Sequence, residues 1–141
     1  MTTMTNPTDL LKTVYLGDRA CKGLTIDSWG KRLVLHVNCI SRIRSQSGEW
    51  QFYTDEDIPD GLLVFTGLDS IELAPSGHVP NDAINSIDVK TLSDDPLAPL
   101  FLFEISVGSS SGKGEVTEVT IKAVGRDVHL ENPARPGVVI R

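Results

Sequence analysis

Apolar and polar residues alternate along most of the chain. Arg32-Leu-Val-Leu-His-Val-Asn-Cys39 alternates strictly: Leu33, Leu35, Val37 and Cys39 share one face, and Arg32, His36 and Asn38 the other. A period of two is the mark of a half-buried strand. Leu24-Thr-Ile-Asp-Ser-Trp29 precedes this run and stops at Gly30-Lys31. A hairpin is expected, with Gly30 supplying the positive φ of the first central turn position.

Similar strands follow. Glu49-Trp-Gln-Phe-Tyr-Thr54 reads as a short aromatic strand after the polar turn Ser45-Gln-Ser-Gly48. Asp55-Glu-Asp-Ile-Pro-Asp-Gly61 reads as an acidic loop. Gly61-Leu-Leu-Val-Phe-Thr66 is apolar on both faces and is placed centrally in a sheet. Ser70-Ile-Glu-Leu73, Ile87-Asp-Val89, Phe101 to Val107, Glu115 to Val124 and Val128-His-Leu130 complete the strand set. Asn81-Asp-Ala-Ile-Asn85 is expected to make one helical turn, and Leu92 to Pro99 a linker. Gly108-Ser-Ser-Ser-Gly-Lys-Gly114 is expected to be a turn.

Helical signals are confined to the start. Asn6-Pro7-Thr8-Asp9 offers a capping side chain, a first-turn proline and an acid, and Thr13-Val14-Tyr15 keeps any helix short. Short strands at intervals of about 8–12 residues, without long helices between them, predict a mainly β domain. The expected form is a single-domain antiparallel sandwich, or a partly open barrel, of about eight strands with a short N-terminal helix. One domain spans 1–141, with 1–9 and 133–141 peripheral. One internal echo stands out: Thr25-Ile-x-x-x-Gly-Lys-x-Leu-x-Leu35 against Thr120-Ile-x-x-x-Gly-Arg-x-Val-x-Leu130. Both segments read as hairpins with a Gly-basic turn.

Composition narrows the field. The chain has 141 residues, 40% hydrophobic and 23% charged, which fits one folded domain and argues against disorder. No apolar run approaches the ~18 residues that a membrane-spanning helix needs. The start, Met-Thr-Thr-Met-Thr-Asn-Pro, lacks the basic and apolar regions of a secretory signal, so a cytoplasmic location is expected. Lys and Arg number 13 against 19 Asp and Glu, a formal net charge of -6. Arg42-Ile-Arg44 is too small a basic cluster to displace counterions from nucleic acid, so nucleic acid and anionic membranes are set aside as partners. An acidic surface aids solubility and steers encounter with a basic protein.

Candidate chemistry is sparse. Gly108-Ser-Ser-Ser-Gly-Lys113 fails as a phosphate loop because three residues, not four, separate the glycines, Gly114 follows the lysine, and a strand comes next. The acids at 55–60 lack the alternation of a calcium loop. Cys21 and Cys39 form no zinc motif; they read as small buried hydrophobes, or as a pair facing each other across neighbouring strands. His36 and His129 fall on polar strand faces and would approach if those strands paired, whereas His78 sits in a loop. No serine lies in a nucleophile elbow. No enzyme activity, cofactor or metal is expected. One segment combines acids with aromatics in the manner of a protein-binding rim: Glu49, Trp50, Phe52, Tyr53, Asp55, Glu56, Asp57 and Asp60.

Asp18-Arg-Ala-Cys-x-x-Leu-x-Ile-Asp27, then Leu63-Val-Phe-x-Gly-Leu-x-Ser-Ile71, then Glu104-Ile-Ser-Val107 and Thr120-Ile-Lys-Ala123 carry a resemblance. Between Leu16 and Asn132 the layout resembles small bacterial β-rich domains, some grouped with immunity proteins of polymorphic toxin systems. Such domains often begin the first strand with His-Asp-Ala, where this chain has Asp18-Arg19-Ala20. The resemblance implies an immunity-like role; together with the acidic balance, the expected function is a non-catalytic binding protein that recognises a basic protein partner through the segment Glu49 to Asp60. The alternatives are a small-molecule-binding or hydrolytic β-domain with a cavity between its sheets, and a structural subunit that makes a homodimer through an exposed sheet edge.

Overall fold

A computed structural model describes residues 6–17, 19–43 and 57–141. One helix, α1 (Pro7–Lys12), opens the fold as the capping signature predicts: Asn6 Oδ1 accepts a hydrogen bond from the Asp9 amide at 2.8 Å. Eleven strands follow among the described residues: β1 (Val14–Tyr15), β2 (Cys21–Asp27), β3 (Arg32–Val37), β4 (Cys39–Arg42), β5 (Ile58–Pro59), β6 (Leu62–Thr66), β7 (Ser70–Ala74), β8 (Ile84–Ser93), β9 (Leu100–Ser110), β10 (Val116–Gly125) and β11 (Asp127–Glu131). Eight of them build two four-stranded antiparallel sheets, ordered β11-β6-β3-β2 and β7-β10-β9-β8, and β1-β4-β5 form a small third sheet. The protein is therefore mainly β, and the two large sheets pack as a sandwich.

Alternation puts the core between the large sheets. Leu33, Leu35 and Val37 on β3, Leu63 and Phe65 on β6, and Phe103, Ile105 and Val107 on β9 are fully buried together with Val119, Ile121 and Ala123 on β10. Phe65 and Phe103, one from each sheet, meet edge to face with ring centroids 4.9 Å apart. Helix α1 lies against β8 and β11, one edge strand from each large sheet, and delivers Leu10 into the same core. The strand 61–66 is central as its two apolar faces predict: β6 pairs with β3 on one side and β11 on the other.

The two sheets join at a corner. After β6 the chain turns at Gly67, which has φ +61°, and enters the opposite sheet as β7. After β10 it returns at Gly125-Arg126 to become β11. The crossings are stitched together: the Arg126 amide donates to Thr66 O at 2.9 Å and the Asp69 amide to Val124 O at 2.7 Å. The segment 120–130 is thus a crossing between sheets and not a hairpin.

Other local expectations are corrected as well. The β2–β3 hairpin forms, with Asp27 opposite Arg32, but the left-handed residue is Lys31 at φ 54° and not Gly30. Gly30 serves a different purpose: its amide donates to Asp27 Oδ1 at 2.8 Å, and a Cβ there would collide with that carboxylate. The residues at 81–85 are not helical. Ala83 bridges Ala20, and Ile84 opens β8, which runs to Ser93 and absorbs part of the expected linker. Gly108 lies inside β9, which continues to Ser110 before the turn. Cys21 lies opposite Val37 and Cys39 opposite Pro59, so the two cysteines do not face each other across a ladder; both are free. The aromatic strand expected at 49–54 lies outside the described residues.

Candidate functional site

Of the eight residues proposed for partner binding, Glu49, Trp50, Phe52, Tyr53, Asp55 and Glu56 lie outside the described residues. Asp57 and Asp60 are described, and β5 separates them. Ile58 in β5 pairs with Ile40 and is buried, so the acidic loop contains a short strand anchored on the core. This strand sends its flanking acids to different surroundings.

Asp60 turns outward with φ 54°, and its Oδ1 pairs with Lys22 Nζ at 2.5 Å across an exposed surface. Exposed pairs of this kind add little stability. Asp57 is different. Both of its carboxylate oxygens are buried, without a hydrogen-bond partner among the described residues. Asp57 is also one of the residues that line a cleft of about 300 Å³, with Arg42, Ile58, Asn132, Arg135 and Ile140. The cleft draws on β4, β5 and the segment after β11, which returns to the sheet through the Leu130–Ile140 bridge. Arg42 is held through Nε by Thr13 Oγ1 at 3.2 Å, and Arg135 is exposed. The two oxygens receive a hydrogen bond from neither.

A second cleft, about 390 Å³, opens on the outward face of β2 and β3 and is lined by Lys22, Thr25, His36, Asp60 and Pro133 among others. Thr25 Oγ1 and His36 Nε2 are 2.8 Å apart, while Lys22 and Asp60 pair with each other. Both polar couples are internally matched.

His36 and His129 share the outward face of one sheet, but β6 lies between their strands, so they are not brought into contact. His129 instead sets Nε2 2.7 Å from Glu131 Oε2, and the same oxygen accepts from Arg32 Nη2 at 3.1 Å. His129 and Glu131 are nearly buried. Val34 and Val64, which point outward on the neighbouring strands, are also buried. Sequence reading missed the trio because Arg32 and Glu131 stand 99 residues apart. The spacing of His129 and Glu131, two apart on one strand, was the available signal. His78 is exposed in the β7–β8 loop.

Burial pushes the Cys21 thiol up from its ordinary value, partly offset by the Gly23 carbonyl, which accepts its hydrogen bond. A thiol held protonated in apolar surroundings is a poor nucleophile. Among the described residues no group of three or more His, Cys, Asp or Glu side chains is placed to hold a metal ion. No described helix is long and apolar enough to cross a membrane.

No curated protein and no solved structure matches the chain. Residues 4–141 do match the model of a family of unknown function, DUF6258, and the chain belongs to that family.

Proposed function

We propose that this chain is a non-catalytic binding protein, immunity-like in role, that recognises a basic protein partner through the acidic and aromatic segment 49–60. One observation carries the reading: the Asp57 carboxylate, within that segment, is buried without a hydrogen-bond donor among the described residues, and Asp57 helps to line a cleft. Leaving a buried polar group unsatisfied costs about 1–3 kcal/mol, more for a charge. A lysine or arginine side chain entering from a partner would supply the missing donor. The net charge of -6 would speed the encounter, and Trp50, Phe52 and Tyr53 would contribute the apolar contact.

Two measurements test this. Pull-downs from native cells should recover a basic partner with the wild-type chain and lose it when Trp50→Ala is combined with Asp57→Lys. Identical partner lists from both baits would remove the segment from the binding surface. Asp57→Asn should raise the stability of the isolated chain by about 1 kcal/mol in urea unfolding, because an amide costs less than a carboxyl group to bury without a donor. A loss of stability would mean that the carboxylate is already satisfied within the chain. A gene for a large toxin-tipped protein directly upstream would support the immunity role.

A second reading, a small-molecule-binding or hydrolytic β-domain, draws on the 390 Å³ cleft beside the Thr25–His36 pair. The inter-sheet space is filled by core side chains, so the outer cleft is where such a molecule would sit. Absence of any thermal shift across a metabolite panel counts against it.

A further inference from the structure

The two large sheets present four edge strands, β2, β11, β7 and β8. Three are blunted. Ile140 covers β11 by exchanging two backbone hydrogen bonds with Leu130, at 2.8 and 2.9 Å. Strand β7 is only five residues long, and the Ala74–Pro75 bond follows it directly. Strand β8 has register shifts near both ends, at Ile84/Ser86 and Thr91/Ser93, and carries the charged Asp88 and Lys90 between them. Bulges and short strands of this kind protect edges from unwanted pairing. Strand β2 has one register shift, between Cys21 and Gly23, and from Gly23 to Asp27 it pairs regularly with β3.

The direction of the backbone groups on β2 follows from its neighbours. The Val37 amide donates to Gly61 O at 2.9 Å, on the β6 side. By antiparallel alternation Leu35 and Leu33 also aim their backbone groups at β6. Their partners on β2, Leu24 and Ile26, therefore aim N–H and C=O away from β3, along the open edge. Cys21 obeys the same rule, its amide donating to Asp82 O at 2.9 Å. Past Cys21, no described backbone group from outside the sheet takes up this edge.

We infer that this edge pairs with the β2 strand of a second copy of the chain, antiparallel about a two-fold axis through Thr25. The register is self-complementary. Leu24 lies opposite Ile26 of the second copy and Ile26 opposite its Leu24, so the outward N–H and C=O groups of both residues meet donors and acceptors of matching direction. Thr25 faces its own symmetry mate as the pair without hydrogen bonds. On the core side, Ile26, 46% exposed, is covered by Leu24 of the second copy. On the other side, Gly23 leaves room opposite Asp27, and Lys22, paired with Asp60 of its own chain, is carried next to that carboxylate, so one cation lies between two acids. Trp29, 98% exposed at the hairpin tip, extends over the stretch around Cys21 of the second copy. An isologous contact of this kind closes as a dimer and does not propagate into fibres.

The test is the mass of the full chain in solution, measured by sedimentation and light scattering over a concentration series. A doubling of mass with concentration is expected. Ile26→Pro deletes one outward N–H while leaving the β2–β3 ladder intact, since that amide does not point at β3. It should raise the dimer dissociation constant at least about tenfold, and Ile26→Lys should do the same through charge repulsion at the edge. Circular dichroism confirms that each variant is folded. If Ile26→Pro fails to fold, Ile26→Lys decides. A chain that stays monomeric at every concentration overturns the proposal, and so does a dimer that folded Ile26 variants leave unchanged.

Discussion

Residues 25–35 and 120–130 carry nearly the same pattern, and the chain folds them in opposite ways. The first doubles back as the β2–β3 hairpin, with Asp27 opposite Arg32. The second keeps going: β10 ends at Gly125, and β11 begins at Asp127 in the other sheet. Burial diverges at matching positions, since Ile26 is 46% exposed while Ile121 is fully buried. The cause lies beside the strands and not within them. Strand β10 is already paired on both sides, with β9 and β7, so its continuation has no free edge to fold back upon. It follows instead the crossing that β6 and β7 make at Gly67 and pairs with β6. Strand β2 pairs with no described strand but β3, and a return along β3 is open to it. A Gly-basic dipeptide permits a change of direction, but the neighbours decide which change occurs.

The comparison can be broken most severely at the corner. A Cβ at Gly125 would lie 3.1 Å from Thr66 O, a backbone atom held in the crossing. Gly125→Val is expected to cost about 2–3 kcal/mol in urea unfolding, in the range of overpacked cores. A negligible cost would show that the corner has slack and that crowding does not distinguish it from the hairpin. At the matching hairpin position the obstacle is the Asp27 side chain, which can rotate away. Gly30→Ala should therefore cost only about 1 kcal/mol, chiefly the lost hydrogen bond between the Gly30 amide and Asp27. A cost equal to that at Gly125 would erase the contrast. The next effect has the opposite sign. Lys31 holds φ 54°, so Lys31→Gly should add up to about 1 kcal/mol by relieving left-handed strain. Arg126, its counterpart, has no such φ and donates through Nη1 to Pro99 O at 3.2 Å, so Arg126→Gly should lose a few tenths.

Much of the fold was legible where periodicity was clean. Leu33, Leu35 and Val37 announced β3, the doubly apolar run at 62–66 announced a central strand, and Asn6 with Pro7 announced α1. Strand β8 was largely missed because Asn85, Ser86, Asp88 and Lys90 leave little apolar alternation; the strand owes its length to the ladder that β9 offers it. The candidate site was legible only in part. Composition marked 49–60 as acidic and aromatic, yet it gave no reason to separate Asp57 from Asp60. That separation depends on Ile58 docking against Ile40, which places one carboxylate inward and leaves the other beside Lys22.

Side-chain alternation is a property of successive residues, so the amino-acid order alone determined that this is an antiparallel β protein with two apolar faces to bury. It also determined the acidic balance and the helix cap, which are local as well. Which strands became neighbours, which edge stayed open and which carboxylate lost its solvent were decided only when distant segments met. Hydrogen-bond ladders and core contacts form between residues far apart in the chain, and neither charge nor periodicity encodes that meeting one segment at a time.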